Sequence, residues 1–377
     1  MSADRESLHS FLNVARAVWL AQGLDRNGLF HERLDFAGRA LTPPLRRVMA
    51  QARQIFVYCD AALDGFEREG GEVALRALER LFILYSDDGD LSRGLAFALA
   101  PDGSIADSRR DSYAHAFVLL ALSAAYRLDG DPRHLGRADA LDGFVAAHLT
   151  DHNHGGLWSC VPPRDRDKLQ NPLMHLFEAY LFLHHAAPER PYLKKAGAIA
   201  RLFRERVFDH AAAALPERMR TDWSCCDSAE RHFEPGHHFE WIWLLGCYDA
   251  ASGENHIRLR EALWRTALGA GLDARRRCYD AVDMNHVPAR SSVRLWPHTE
   301  GVKAACSMMR FDPDRADRLR EDMLTALFDL FLNRPFTGGW IDHFDADRPL
   351  VDFVPATSLY HLQLADLALQ EMYGMQQ

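Results

Sequence analysis

The sequence predicts an all-α chain folded as an (α/α)6 barrel: six helical hairpins in one ring, with short β-hairpin or loop insertions on one face. Three observations carry this reading. Apolar residues recur with helical period along the whole chain, no stretch of comparable length alternates with period two, and six unusual polar residues recur about every sixty positions.

In chain order, helices are expected at 5–21, 45–67, 72–87, 111–128, 133–149, 170–187, 191–208, 236–251, 255–270, 298–309, 313–333 and 356–373, to within a few residues. LRRVMAQARQIFVYCDAAL from Leu45, SYAHAFVLLALSAAYRL from Ser112 and PLMHLFEAYLFLHHA from Pro172 show the periodicity most strongly. Between helices lie segments rich in Gly, Pro and Asp, such as APDGSIADSRRD, DHNHGGLWSCVPPRDRDK and RPFTGGWIDHFDADRP, which read as turns or small hairpins.

The even-numbered helices follow Gly- or Pro-containing loops and carry Arg53, Tyr113, His175, His237, Glu300 and His361 near their starts. The steps between these residues are 60, 62, 62, 63 and 61. Such a period marks one repeated unit, here an outer helix, a loop and an inner helix. Closing six units into a ring makes the six polar residues converge. An open superhelix of helix pairs has a similar period, but five of the six residues sit in locally unusual motifs, which favours closure. No linker-like stretch interrupts the chain, so one domain spanning 1–377 is expected.

The chain has 377 residues, 48% of them hydrophobic and 26% charged, enough to bury a large core. A net charge of −9 leaves no broad basic face, which argues against nucleic acid as a partner. An anionic substrate would need only one local Arg. The start, MSADRESLHSFLNVARAVW, carries acidic residues where a signal peptide has a basic region, and no apolar run reaches membrane-spanning length. Seven scattered cysteines without a C-x-x-C pair suit a reducing compartment. A cytoplasmic protein without membrane contact is expected, and homo-oligomerisation is left open.

Two segments concentrate reactive side chains. In EPGHHFEW, Pro235 and Gly236 mark a loop-to-helix junction, with His237, His238 and Glu240 in the opening turn. The helix dipole there is expected to lower the pKa of His237 toward a neutral base, with Glu234 holding its other nitrogen. Consecutive residues point about 100° apart on a helix, so one histidine faces the cavity. His237 is assigned function and His238 packing. In RLWPHTEGVKA, Trp296 and Pro297 precede Thr299, a candidate cap, then Glu300 and Lys303. Glu300 gains weight from its place in the repeat, and Trp296 suits a sugar ring. Asn171 lies four residues before His175 on the same helical face, with Glu178 three after it. Arg53 sits on an otherwise apolar face and needs acceptors, either sugar oxygens or a core carboxylate.

The spacings exclude several chemistries. H-E-x-x-H is absent, and Glu234-x-x-His237 is the sole E-x-x-H among the motif helices, where a di-iron site needs two, so no metal is expected. The nucleotide-binding and nucleophile-elbow motifs are missing. Glu234, Glu240 and Glu300 are candidate glycosidase carboxylates, yet a histidine-weighted site fits proton transfer better. A non-catalytic helical scaffold is the competing class, and it predicts the six polar residues scattered over the surface.

Taken together, the motifs resemble the N-acylglucosamine 2-epimerase superfamily, particularly its mannose isomerase branch. They are A-R-x-x-F at Arg53, D-x-Y-x-H-A-F from Asp111, N-P-x-M-H-x-x-E-A from Asn171, E-P-G-H-H-x-E-W from Glu234, W-P-x-T-E-G-x-K-A from Trp296 and Tyr-His-Leu at His361. They cover essentially the whole chain, in order. The resemblance implies an (α/α)6 barrel acting on a monosaccharide without a redox cofactor. It implies His237 and His361 as the acid/base pair, with Arg53, Tyr113, Asn171, His175, Glu234, Trp296 and Glu300 binding the sugar or assisting ring opening. Leu173 departs from the pattern, standing where many relatives have His, which puts one sugar contact in question. The implied reaction is D-mannose to D-fructose through an enediolate stabilised by Arg53. A 2-epimerase of a free or N-acylated sugar and a sulfoquinovose isomerase are the alternatives.

Overall fold

A computed structural model describes residues 3–66, 68–227 and 231–374. The last position of the predicted second helix, Glu67, and both ends of the expected 1–377 domain lie outside the described residues. Twelve α-helices are present among the described residues: α1 (Ala3–Leu20), α2 (Val48–Leu63), α3 (Arg68–Tyr85), α4 (Ser112–Asp129), α5 (Pro132–Phe144), α6 (Gln170–Ala186), α7 (Tyr192–Leu202), α8 (Pro235–Ser252), α9 (Ile257–Ala270), α10 (Leu295–Met308), α11 (Pro313–Ala326) and α12 (Thr357–Gly374).

The even-numbered helices form the inner ring. Each packs on the next, α2 on α4, α4 on α6, α6 on α8, α8 on α10 and α10 on α12, and α12 returns to α2. They are buried on nearly every side, as in α2, where Val48 through Ala61 are all buried. A helix that is apolar around its circumference needs such a position, whereas the one-sided α3 and α7 suit the outer layer. The hairpins differ from the predicted outer-loop-inner unit. Each outer helix packs chiefly on the inner helix before it, and α1 closes the ring against α12. Inner-to-outer turns are short and favour this neighbour.

Every strand lies in an outer-to-inner connection, which puts all the insertions on one face, as predicted. A two-residue strand stands just before each inner helix and pairs antiparallel with the neighbouring connection. The pairs are Arg46–Arg47 with Ala98–Leu99, Arg110–Asp111 with Cys160–Val161, Lys168–Leu169 with Arg218–Met219, His232–Phe233 with Ala281–Asp283, Val293–Arg294 with His343–Asp345, and Val354–Pro355 with Arg33–Leu34. The chain of clasps runs around the mouth and fixes where each inner helix begins.

One turn inside, a second device holds the connections. The residue four positions after the N-cap accepts a backbone N–H from the loop above: Gln51 from Phe30 (2.8 Å), His115 from Leu95 (3.0 Å), His238 from Leu215 (3.0 Å) and His298 from Cys278 (3.1 Å). These histidines are buried and neutral, with burial lowering His115 and His298 to about 4 and His238 to about 3. His238 is thus a packing residue, as predicted. Leu173 occupies the same position on α6 and is itself buried in the core, so the departure there falls on a loop anchor and not on a sugar contact.

Helix starts differ from expectation at two motif helices. α2 begins at Val48, because Arg46–Arg47 is taken by a clasp. α10 begins at Leu295, so Pro297 lies in the first turn and Thr299 is no cap; its hydroxyl donates back to the Trp296 carbonyl at 2.6 Å. The predicted helices 133–149, 191–208 and 313–333 each end in a π turn, over Val145–Leu149, Phe203–Val207 and Leu327–Phe331.

Candidate active site

Because the inner helices all start on the clasped face, their N-termini, with unpaired N–H groups and positive dipole ends, surround one opening. A cavity of about 330 Å³ lies there, at the small end of ligand pockets. It is lined by Arg53, Tyr113, Asn171, His175, Glu234, His237, Trp296 and His361, together with Leu169, Glu217, Glu240 and Arg294. Eight of the nine expected site residues therefore share one pocket, the arrangement a non-catalytic scaffold does not predict.

The ninth, Glu300, is a correction. It has no exposed surface and lies behind His361, so it is not placed to touch substrate. The register sorts the site residues into two tiers. Tyr113, Asn171 and Trp296 stand two residues after their N-caps and His237 three, forming an upper tier. Arg53, His175, Glu240 and Glu300 stand six after, one turn deeper on the same faces. The sixty-residue series had mixed the two tiers, and Glu240 is the lower-tier residue of α8.

His237 corrects two further expectations. Its Nδ1 meets Glu217 Oε1 at 2.9 Å, while Glu234 Oε2 stays at 3.9 Å. Burial alone would lower its pKa, but the carboxylates of Glu217 and Glu234 overcome burial and raise it to about 9. The field of these two carboxylates wins over the helix dipole, so His237 is an imidazolium at neutral pH with Nε2–H left for the cavity. Glu217 is itself fixed by Gln170 Nε2 (2.9 Å) and the Glu234 N–H (3.0 Å), and Gln170 by Trp241 Nε1 (2.9 Å).

His361 is the opposite case. Burial, with Arg53, Lys303 and His175 nearby, lowers its pKa well below the usual imidazole value. Its Nδ1 lies 2.8 Å from Glu300 Oε1, and Glu300 Oε2 lies 2.6 Å from Lys303 Nζ. An Nδ1–H donated to that carboxylate leaves the Nε2 lone pair for the cavity. Between the two imidazoles stands Trp296, its ring centroid 4.8 Å from His237 and 5.7 Å from His361.

On the opposite wall, Arg53 is held in an aromatic cradle, 4.1 Å from the Phe117 centroid and 4.9 Å from that of Tyr360, and it donates to Tyr113 Oη and the Thr357 carbonyl. No carboxylate pairs with it among the described residues. His175 Nδ1 contacts Glu178 Oε2 at 3.0 Å, and burial lowers its pKa to about 4. Tyr360 donates to the same Glu178 carboxylate. Glu240 also lines the cavity, and burial, with Glu300 and Glu178 close by, raises its pKa well above the usual carboxylate value. His175, Glu178 and Glu240 bring donor atoms within 4.8 Å of one another.

Sequence reading missed Glu217 and Arg294 and did not place Glu240 in the site. Arg294 caps α10 and divides itself between Asp280 Oδ1 (2.8 Å) and Glu234 Oε2 (3.7 Å). Its place at the head of a motif segment was the available signal, as was the spacing of Glu240 from His237. Glu217 lies in a connection, where no periodicity marks it.

Residues 28–365 match the N-acylglucosamine 2-epimerase (GlcNAc 2-epimerase) family. The chain is 31% identical to a mannose-6-phosphate isomerase of Rhizobium meliloti (strain 1021), over 97% of this chain and 96% of that protein. It is 29% identical to a D-mannose isomerase of Thermobifida fusca, over 55% of this chain and 56% of that one. A crystal structure of a D-mannose isomerase superposes with a TM-score of 0.88 at 20% identity, over 98% of this chain and 99% of the other, a likeness of fold.

Proposed function

The chain belongs to the N-acylglucosamine 2-epimerase family, and we propose that within it this sugar isomerase or epimerase converts D-mannose to D-fructose, with His361 as base and His237 as acid. The observation that carries the reading is the opposed protonation of two imidazoles on either side of Trp296. One is raised to about 9, and the other is lowered well below its ordinary value. Groups whose environments drive their pKa values apart are suited to acid and base roles at one pH.

The C2 proton of an open-chain aldose is a weak acid. Its removal needs a base in contact and positive charge at the carbonyl oxygen. Nε2 of His361 takes that proton, and the C2–H electron pair forms the C1–C2 double bond as charge moves to O1. Arg53, with Tyr113, stabilises the enediolate, and the His237 imidazolium protonates O1. His237 then accepts the O2 proton while His361 returns its proton to C1, giving the ketose with both histidines restored. No oxidant or reductant enters.

A neutral hexose fits the lining better than a phosphorylated one. Arg294 is neutralised by Asp280 and Glu234, Glu217 and Glu234 add negative charge, and Arg53 and His237 are the cations left for the sugar's own oxygens. A second reading, 2-epimerisation, draws on the same pair. α8 and α12 are separated by α10 in the ring, so a proton lost to His361 on one face of C2 can be replaced from His237 on the other. NMR of incubations with mannose, glucose, fructose, sulfoquinovose and mannose 6-phosphate tests the choice. Fructose from mannose is expected. Glucose without fructose supports the epimerase, and unchanged mannose refutes the first reading.

A further inference from the structure

Lys303 has no exposed surface and touches no part of the cavity, yet its ammonium stands at the centre of the charge beneath it. Nζ lies 2.6 Å from Glu300 Oε2 and 4.3 Å from the centroid of Trp243, which lines the separate apolar cavity at the other end of the barrel. A buried ion pair is weak grounds for stability, because desolving two charges offsets most of their attraction. A Lys–Glu pair in this core therefore calls for another reason, and the second oxygen of Glu300 supplies one in its contact with His361.

We propose that Lys303 is a positioning residue. By keeping Glu300 a carboxylate, it holds His361 as the Nδ1–H tautomer and leaves the Nε2 lone pair facing the sugar. The alternative is definite. A protonated Glu300 would donate its own O–H to Nδ1, the ring proton would move to Nε2, and the group facing the cavity would become a donor unable to take the C2 proton. The other groups bearing on His361 are Arg53 from α2, His175 and Glu178 from α6 and Tyr360 on its own helix, while Glu240 from α8 bears on Lys303 and Glu300. Burial raises the Glu300 carboxyl above its ordinary value, and Lys303, the cation in contact with it, is the largest influence opposing that shift.

The inference takes its catalytic meaning from the isomerase reading, but the tautomer is measured without turnover, so the two fail separately. Two-bond 15N–1H spectra of the labelled protein, assigned by difference with His361→Asn, should show a neutral Nδ1–H imidazole at neutral pH. Lys303→Met should move that proton to Nε2 and lower kcat about 10²-fold or more, with KM changed less than about threefold. An Nε2–H tautomer in the unaltered protein overturns the proposal, and this holds even if Lys303→Met does not fold. So does a folded Lys303→Met with tautomer and kcat intact. A loss of folded protein with the tautomer unmoved in the remainder marks a merely structural lysine and also overturns it.

Discussion

Glu217 Oε1 stands 2.9 Å from Nδ1 of His237, so a residue from the connection between α7 and α8 sets the charge of an imidazole on the first turn of α8. Burial opposes that charge, and the carboxylates prevail. The alkaline limb of kcat/KM should therefore fall near the raised value of about 9, where the acid loses its proton. Glu217→Gln should move that limb toward neutral pH, as pH–rate profiles of the two proteins would show. A limb unmoved by the substitution would remove Glu217 from this role.

The same shift links to folding. A histidine whose folded pKa is raised stabilises the fold fully below its unfolded value, and the contribution is lost as pH rises through the folded value. Stability measured by urea unfolding should thus decline as pH rises from 6.5 through about 9, and the decline should be shallower in Glu217→Gln.

Arg53 is oriented by aromatic rings and the Thr357 carbonyl, with no carboxylate to neutralise it among the described residues. Its charge is available to a developing enediolate oxygen. Arg53→Met should lower kcat by about 10²–10³-fold, the scale of one lost electrostatic donor. Steady-state kinetics with a loss confined to KM would instead assign Arg53 to ground-state binding.

His298 has a different task. It accepts the Cys278 N–H through Nε2 and donates Nδ1–H to the Arg294 carbonyl at 2.8 Å, and is not itself part of the cavity lining. His298→Leu leaves that buried N–H unsatisfied and should cost about 1–3 kcal/mol of stability, with kcat of the folded protein retained. Urea unfolding beside kinetics checks both halves.

The inner ring was legible because helices buried all round must be apolar all round, and because a sixty-residue repeat brings corresponding positions to one end. Five of the six residues in that repeat line the cavity, and Asn171, Glu234 and Trp296 were read from the motifs around them. The clasps were not legible: Arg46–Arg47 or Val293–Arg294 is too short to alternate, and pairing with the next connection is a tertiary event. The π turns passed as helix because their apolar residues continue the pattern. The sign of the His237 shift was misread for the same reason that Glu217 was missed. A dipole can be inferred from a helix start, but a carboxylate arriving from another connection cannot.

The central claim, that His361 carries the C2 proton, is tested most directly by NMR of mannose in D2O with the unaltered protein and with His361→Asn. The account predicts fructose deuterated at C1 and deuterium entering C2 of remaining mannose in the first case. In the second it predicts retained C2–H and a rate about 10²–10⁴-fold lower. Exchange by His361→Asn at the unaltered rate would contradict it.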